Sequence, residues 1–325
     1  MKKSLLDIPV ALIFFNRDDS LKLVFEQVRI ARPSKLFLIQ DGARDDRDDD
    51  IEGIAACRKV VENIDWECEV YKNYSNVNLG CGHRVSSGIS WAFEHTDRLV
   101  ILEDDCVIEP TFINFCCELL EKYKNDNRIR MISALNHFCD WDCGDNSYFF
   151  SKCGAIAAWA TWKRVWDEFD FEIKDFNNEY SLKLIKDSFG HKRAAKYSIK
   201  LWREVSRKVI AGEKIRFWGP QFGFLSYQSA TVAIIPSHTL SSNVGVGAKA
   251  TFSGGGAEFM KKSMRNWFFQ KTRPMEFPLK HPTTVLPDVD YDTKYYNITY
   301  PNPIVRFVTR VFYFCKRKIY TILKK

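Results

Sequence analysis

The feature that most constrains this chain is an apolar run, Leu99–Leu102, that ends in three consecutive acids, Glu103, Asp104 and Asp105. A short apolar run bounded by polar residues is typical of a strand buried on both faces of a parallel sheet. Ligands of open α/β sheets bind where such strands end. Since Mg²⁺ and Mn²⁺ prefer one or two carboxylates together with phosphate oxygens, the segment predicts a metal site for a diphosphate. The alternative is a solvated acidic turn before a helix at Pro110.

Strand-like and helix-like segments alternate along residues 1–136, beginning with the apolar strand Val10–Phe15. This order predicts an α/β fold with a mostly parallel central sheet flanked by helices. After Asn136 the alternation stops, although the tryptophan-rich segment Ala157–Trp166 predicts a further helix. We therefore expect four parts: a Rossmann-like half (1–136), a second half of the same domain (137–271), an extended proline-rich wrap (272–303) and a basic amphipathic helix (304–325).

The net charge of +7 belongs to the C-terminal segment. Residues 306–325 hold seven basic side chains and no acid, whereas the rest of the chain balances 41 basic against 41 acidic residues. A neutral body argues against a nucleic-acid-binding protein. On a helical wheel the tail places its apolar side chains opposite Arg306, Arg310 and Arg317, which is typical of a helix lying on an anionic membrane surface. A terminal helix packed on the body is the alternative.

The cysteines and the N-terminal residues indicate where in the cell the protein is located. The ten cysteines contain no Cys-x-x-Cys pair, so we expect reduced, mostly buried thiols of a cytosolic protein. The apolar run Val10–Phe15 is too short for a secretory signal or a membrane span. Together with the tail, this predicts a cytoplasmic protein associated peripherally with the cytoplasmic face of a membrane.

Polar residues also follow the other predicted strands. Asn16-Arg17-Asp18 follows the first strand, Gln40-Asp41-Gly42 follows the second, and the glycine-containing loop Asn78–Gly88 enters the helix before the acidic strand. Taken singly, each segment is better explained by turn caps or a helix entry than by a binding role. Because the carboxyl ends of parallel strands meet at one sheet edge, we expect all of them near the three acids.

In their order and spacing these segments resemble the N-acetylglucosaminyltransferase I-like glycosyltransferases, which have the GT-A fold, over about residues 8–136. Trp159-Ala-Thr-Trp162 and Ser242–Thr251 are similar to segments of bacterial sugar transferases of the same superfamily. The resemblance implies that residues 1–136 bind a nucleotide-sugar. It implies that residues 137–271 form the acceptor side and complete the catalytic site.

The resemblance also implies roles for single residues. The implied nucleotide-binding residues are Phe15, Arg17, Asp41, His83, Glu103 and Asp104. Arg17 and Asp41 would contact the uridine and ribose of a UDP-sugar, and His83 would lie near the nucleotide or its diphosphate. Asp105 is implied as the ligand of Mn²⁺ or Mg²⁺, since Glu103-Asp104-Asp105 replaces the usual Asp-x-Asp motif.

The catalytic base stays open in this sequence. An inverting transferase needs a carboxylate to take the proton of the acceptor hydroxyl. Many relatives have Trp-Asp where this chain has Trp218-Gly219, and glycine cannot act as a base. Glu213 is one candidate and an acid of segment 167–170 is another. The candidate substrate contacts are Trp159, Trp218 and Asn243, with core packing as the alternative for the two tryptophans.

The sequence thus predicts a metal-dependent glycosyltransferase that moves a sugar from a UDP-sugar to a glycan or lipid-linked glycan in cell-surface polysaccharide synthesis. Two alternatives remain. One is a non-catalytic nucleotide-sugar or membrane-binding protein on the same scaffold, which Gly219 keeps open. The other is a sugar nucleotidyltransferase, which would want a glycine-rich phosphate loop where this chain has Asn16–Asp19.

Overall fold

An eight-stranded sheet runs through the structure, a computed structural model that describes residues 2–213, 215–245, 268–309 and 311–312. The strands are β1 (Leu6–Phe14), β2 (Pro33–Gln40), β3 (Glu69–Tyr74), β4 (Arg98–Glu103), β5 (Cys106–Ile108), β6 (Ile129–Ser133), β7 (Tyr148–Ser151), β8 (Ala158–Trp162), β9 (Val232–Pro236) and β10 (Ser241–Asn243). The large sheet has the order β3-β2-β1-β4-β8-β6-β9-β7, and β5 pairs with β10 in a separate antiparallel sheet.

Most strands of the large sheet point the same way. Strands β3, β2, β1 and β4 are parallel neighbours, β6 is parallel to β9, and only β8 and β7 run in the opposite direction. Residues 8–14 of β1 and 99–102 of β4 are buried, as expected for strands covered on both faces. The predicted α/β class with a mostly parallel central sheet is confirmed.

Helices cover the sheet. They are α1 (Asp18–Ala31), α2 (Asp48–Val61), α3 (Gly80–Ala92), α4 (Thr111–Lys122), α5 (Lys163–Trp166), α6 (Glu179–Ser188), α7 (Lys192–Ile210), α8 (Gly219–Gln228) and α9 (Val289–Thr299), with a 3₁₀ turn at Lys174–Asn177. Helix α1 begins with Asp18 and Asp19, whose charges suit a helix N-terminus, and buries Leu21, Phe25 and Val28 on one face.

Two predicted elements are wrong. The tryptophan-rich segment Ala157–Trp166 is helical only over Lys163–Trp166, because Ala158–Trp162 forms strand β8, which is buried between β4 and β6. The segment 272–303 is not extended throughout, since it contains α9. Asp288 starts that helix by accepting a hydrogen bond from the Tyr291 backbone N–H at 2.9 Å.

The tail prediction falls mostly outside the described residues. Residues 303–309, 311 and 312 are helical, which agrees with the start of the predicted helix over 304–325. Residues 310 and 313–325 lie outside the described part. Within that part, no helix combines the length and the apolar character that crossing a bilayer requires.

A buried arginine holds α3 against the ends of two strands. Arg84 donates hydrogen bonds to the Gln40 carbonyl at 3.1 Å and to the Asn73 carbonyl at 2.6 Å. One turn later, Gly88 lies so close to β2 that an added Cβ would be 2.5 Å from Ile39 Cγ2. These contacts place the start of α3 at the carboxyl ends of β2 and β3.

Replacing Gly88 by alanine should therefore lower the free energy of unfolding by about 1 to 3 kcal/mol, because the fully buried Ile39 cannot move aside without disturbing the sheet. Gly223→Ala in α8 is the matched control, because an added Cβ there meets nothing within 4 Å. It should raise stability by up to about 1 kcal/mol through helix propensity. Urea unfolding measures both, and equal effects at the two sites would contradict the proposed close packing of α3.

Candidate functional site

The carboxyl ends of β2, β1 and β4 share one edge of the sheet. The three strands are parallel neighbours, and their pairing register places the last residues of β1 level with those of β2 and β4. The residues at or directly after the strand ends are Phe15–Arg17, Asp41 and Glu103–Asp105. The structure thus brings together, at one edge, residues that the sequence placed there from three separate segments.

The cation beside the acids is an arginine of the same chain. Arg17 Nη2 lies 3.0 Å from Asp105 Oδ2 and also forms an ion pair with Asp104 Oδ1. The Phe15 backbone N–H donates to the other oxygen of Asp104 at 3.2 Å. These three side chains are less than a fifth exposed. Arg17 is therefore the internal counter-ion of the acids, and its contact with a nucleotide stays a prediction.

One guanidinium does not balance three carboxylates. Burial, followed by the charges of Asp105 and Asp104, raises the pKa of Glu103 above its usual range. Burial also raises the pKa of Asp104, although Arg17 acts in the opposite direction. Burial lowers the pKa of Arg17, but Asp104 and Asp105 outweigh it and the net shift is upward. The site therefore favours additional positive charge.

A strand from the second half of the chain covers Asp105. Strand β10 pairs with β5, and the Val244 backbone N–H donates to the Asp105 carbonyl at 2.8 Å. Asn243 Nδ2 donates to Asp105 Oδ1 at 3.2 Å. At Gly245 an added Cβ would overlap Asp105 Oδ2, so only glycine allows the backbone this close to the carboxylate. Asn243, predicted as a substrate contact, thus orients the acid that the resemblance implies as a metal ligand.

These residues fit a divalent cation that is coordinated partly by the protein and partly by a bound diphosphate. Among the described residues, no three His, Cys, Asp or Glu side chains are grouped so that they could hold a metal ion. Mg²⁺ and Mn²⁺ commonly use one or two carboxylates and take their remaining ligands from phosphate and water. Asp105 suits such a site together with a diphosphate, because its oxygens are held at distances of 3.0 to 3.2 Å, Oδ2 by Arg17 and Oδ1 by Asn243 and the Cys106 thiol.

Asp41 organises the beginning of α3. Its Oδ1 accepts hydrogen bonds from the backbone N–H groups of Leu79 at 2.9 Å and Gly42 at 3.0 Å, and its Oδ2 accepts one from Gly80 N–H at 2.9 Å. The side chain is buried. Asp41 therefore fixes the loop that enters α3, and its contact with a nucleotide stays a prediction.

The first turn of α3 lies within electrostatic range of the acids. Burial and then the charges of Glu103, Asp104 and Asp105 raise the pKa of Cys81 to about 12. His83, two residues later, is exposed, and its ring centroid is 4.4 Å from that of Phe171. The helix N-terminus, a natural site for anions, thus adjoins the acidic cluster.

The two tryptophans predicted as sugar contacts lie in the core. Trp159 has no exposed surface and Trp218 is 3% exposed. Their rings stack on each other with centroids 5.6 Å apart. Neither ring offers a surface to a sugar in this conformation, so their burial supports the packing alternative and leaves the sugar-binding role without support.

No described residue is assigned as the catalytic base. Glu213 is exposed beyond the end of α7 and forms an ion pair with Arg207 at 3.0 Å. Gly219 is the first residue of α8. Glu213 therefore stays a candidate for the catalytic base. Its ion-pair partner, Arg207, does not belong to the site.

Two residues at this edge, Arg44 and Gly245, were not predicted from the sequence. Arg44 lies with its guanidinium carbon 5.5 Å from the centroid of the Phe15 ring and is held by Asp50, with Nη2 and Oδ1 2.7 Å apart. Its position two residues after Asp41-Gly42 could have indicated it. Gly245 gave no comparable signal, because its importance depends on the pairing of β10 with β5, between segments far apart in sequence.

Comparisons with known proteins found similarity only among solved structures. No family model matches the sequence, and no curated protein matches it. The structure is similar to a UDP-glucose pyrophosphorylase complexed with UDP-glucose, with 8% identity, a TM-score of 0.36, and coverage of 71% of this chain and 91% of that one. It is similar to 4-diphosphocytidyl-2C-methyl-D-erythritol synthase from Anaerococcus prevotii, with 9% identity, a TM-score of 0.32, and coverage of 71% and 89%. A mannose-1-phosphate geranyltransferase from Thermus thermophilus matches with 12% identity, a TM-score of 0.33, and coverage of 74% and 75%.

Removing the internal counter-ion should destabilise the protein. Arg17→Met leaves Asp104 and Asp105 facing each other without a cation, which should lower the free energy of unfolding by about 3 kcal/mol at pH 7. Burial raises the pKa of Asp104 and Arg17 opposes that shift, so losing Arg17 raises this pKa further, and the folded variant binds a proton more tightly than folded wild type does. The deficit relative to wild type should therefore shrink as the pH falls from 7 toward about 4.

Arg17→Lys is the control, since it keeps the charge and should lose less stability than Arg17→Met. Urea unfolding of the metal-free protein between pH 7 and pH 4 measures both variants. A deficit for Arg17→Met that is absent, or that grows as the pH falls, would contradict the assignment of Arg17 as counter-ion.

Proposed function

We propose that this chain is a metal-dependent glycosyltransferase that moves a sugar, with inversion, from a UDP-sugar to a glycan or lipid-linked glycan acceptor in cell-surface polysaccharide synthesis. One observation carries the proposal. Asp105, at the carboxyl end of β4, lies between Arg17 and Asn243 at a sheet edge that also holds the N-terminus of α3. This arrangement suits a metal and a diphosphate, which is the chemistry that the resemblance implies.

The proposed roles follow from the contacts. Asp105 would hold Mn²⁺ or Mg²⁺ together with the diphosphate, and the bound cation would stabilise the charge of the leaving UDP. Asn243 fixes one Asp105 oxygen. Asp104 forms an ion pair with Arg17, which also contacts Asp105, the proposed metal ligand.

The start of α3 would complete the nucleotide site. Asp41 holds the loop before the helix in place. Phosphate groups bind readily at helix N-termini, where backbone N–H groups point outward. His83, exposed in the first turn, would contact the nucleotide or its diphosphate.

The location of the enzyme is part of the proposal. The basic, acid-free segment 306–325 supports peripheral binding at the anionic cytoplasmic face of a membrane. Each basic residue near such a surface adds about 1 kcal/mol of attraction. A lipid-linked acceptor would be presented at that surface.

Loss of Asp105 tests the reaction. The protein is incubated with a series of UDP-sugars, and UDP release is measured with and without Mn²⁺. Wild type should release UDP only with metal, and Asp105→Ala should reduce the rate at least about 100-fold, because the cation loses its protein ligand. Asp187→Asn, an exposed acid of α6, is the control and should keep the wild-type rate.

The same assay separates the alternatives. A sugar nucleotidyltransferase would consume UTP and a sugar phosphate and release pyrophosphate, and that result would replace the proposed reaction. A non-catalytic protein would bind UDP and Mn²⁺ by calorimetry with no turnover of any nucleotide-sugar.

Gly245 tests the geometry independently of turnover. Gly245→Ala places a methyl group 2.0 Å from Asp105 Oδ2, so the carboxylate or the backbone at residue 245 must move. The affinity for Mn²⁺ and UDP should fall about tenfold, as for other changes next to a metal ligand. Gly223→Ala is the control. Unchanged calorimetric affinity for Gly245→Ala would show that the position of Asp105 does not matter for binding.

A further inference from the structure

Helix α7 carries a basic face that the proposed reaction does not use. Its sequence contains seven basic residues and one acid, Glu204. At about 100° per residue, five exposed side chains fall within an arc of about 80°. They are Lys192, Lys196, Lys200, Arg203 and Arg207. The buried residues of α7, including Trp202 and Val205, occupy the other side of the helix.

Most of this charge is not neutralised by neighbouring side chains. Among the described residues, Arg207 pairs with Glu213 at 3.0 Å and Lys208 with Glu204 at 3.1 Å. Lys196, Lys200 and Arg203 form no ion pair with any described residue. A concentration of exposed, unpaired charge of one sign suits a surface of the opposite sign.

The start of the tail lies against the same helix. The Arg306 guanidinium donates a hydrogen bond to the Tyr197 hydroxyl and lies over its ring, with Cζ 5.3 Å from the centroid. The Tyr197 ring stacks on Tyr300, with centroids 5.6 Å apart. Arg193 donates to the Tyr300 carbonyl at 2.9 Å. These contacts fix the beginning of the tail helix beside α7.

Exposed apolar side chains accompany the basic face. Ile304, Val305, Phe307 and Val308, at the start of the tail helix, are each more than half exposed. Grouped apolar side chains on a surface indicate a binding partner. Nucleic acid would neutralise the lysines and arginines but would give the aliphatic side chains no hydrocarbon to enter. A bilayer with anionic headgroups meets both requirements.

We propose that α7 and the start of the tail helix form one docking face for an anionic bilayer. The basic arc contacts the headgroups, and residues 304–308 enter the boundary between headgroups and acyl chains. This inference extends the membrane location given under the proposed function. It assigns the membrane contact to helix α7 as well as to the tail. The bound protein would then have a defined orientation on the membrane.

The test uses the full-length chain and sedimentation with vesicles of phosphatidylcholine, with or without phosphatidylglycerol. Wild type should bind only the vesicles that contain phosphatidylglycerol. The variant Lys196→Gln/Lys200→Gln/Arg203→Gln should partition at least about tenfold less, since each basic residue contributes a factor of roughly five. The control Lys59→Gln/Lys72→Gln/Lys122→Gln changes the net charge equally at exposed positions elsewhere and should bind like wild type.

Two further arms separate the tail and the alternative partner. If Arg310→Gln/Arg317→Gln/Lys324→Gln abolishes binding while the α7 variant binds like wild type, α7 is not part of the face and the proposal is wrong. The variant Phe307→Ser/Val308→Ser should also lose affinity, whereas Leu23→Ser/Ile51→Ser should not. If the apolar variant binds vesicles normally and a single-stranded oligonucleotide binds wild type as tightly, the face recognises polyanions and the bilayer proposal is overturned.

The outcome does not depend on the proposed reaction. The α7 variant should keep the wild-type rate of UDP release in solution, because its substitutions are exposed residues outside the candidate site. A protein without transferase activity could still show the vesicle result, and an active transferase could fail it.

Discussion

The structure of the site depends on burying carboxylates at the end of β4. Asp104 is 3% exposed, and burying such a charge is costly unless a cation and hydrogen bonds compensate it. Arg17 and the Phe15 backbone N–H provide that compensation from the end of β1. The ends of two adjacent strands are thereby tied together. Asp105, one residue further along the chain, lies at the surface of the cluster. Because it shares Arg17 with Asp104, the negative charge of the cluster is only partly neutralised.

The same arrangement joins distant parts of the chain. Strand β10 brings Asn243 and Gly245 to Asp105 across more than a hundred residues, and its partner β5 follows the acids directly. On the other side, Asp41 and Arg84 fix α3 against the end of β2. A shift of any of these segments would move the backbone around the acids. The elements around the site thus position one another. The geometry of the acids therefore depends on the contacts between these elements.

Much of the sheet, and the edge that holds the candidate site, could be predicted from sequence, because these features depend on local patterns. The apolar run before Glu103 predicted a buried strand, and the polar residues after β1 and β2 predicted where the edge would lie. Burial, which depends on distant neighbours, could not be predicted. The segment around Trp159 has residues suited to a helix, but it fills a gap between β4 and β6 and becomes a strand. The pairing of β10 with β5 left no local signal either.

Composition has a similar limit. A balance of 41 basic and 41 acidic residues before the tail indicates a neutral body, yet it says nothing about where the charges lie. Helix α7 gathers basic residues on its exposed arc, while acids such as Asp48, Asp49 and Asp50 gather at the start of α2. A net charge of zero for residues 1–305 therefore excludes a uniformly basic surface, but it does not exclude one basic face. Because surface charges are screened within about 8 Å at physiological salt, the local face determines which partner binds, and the total does not.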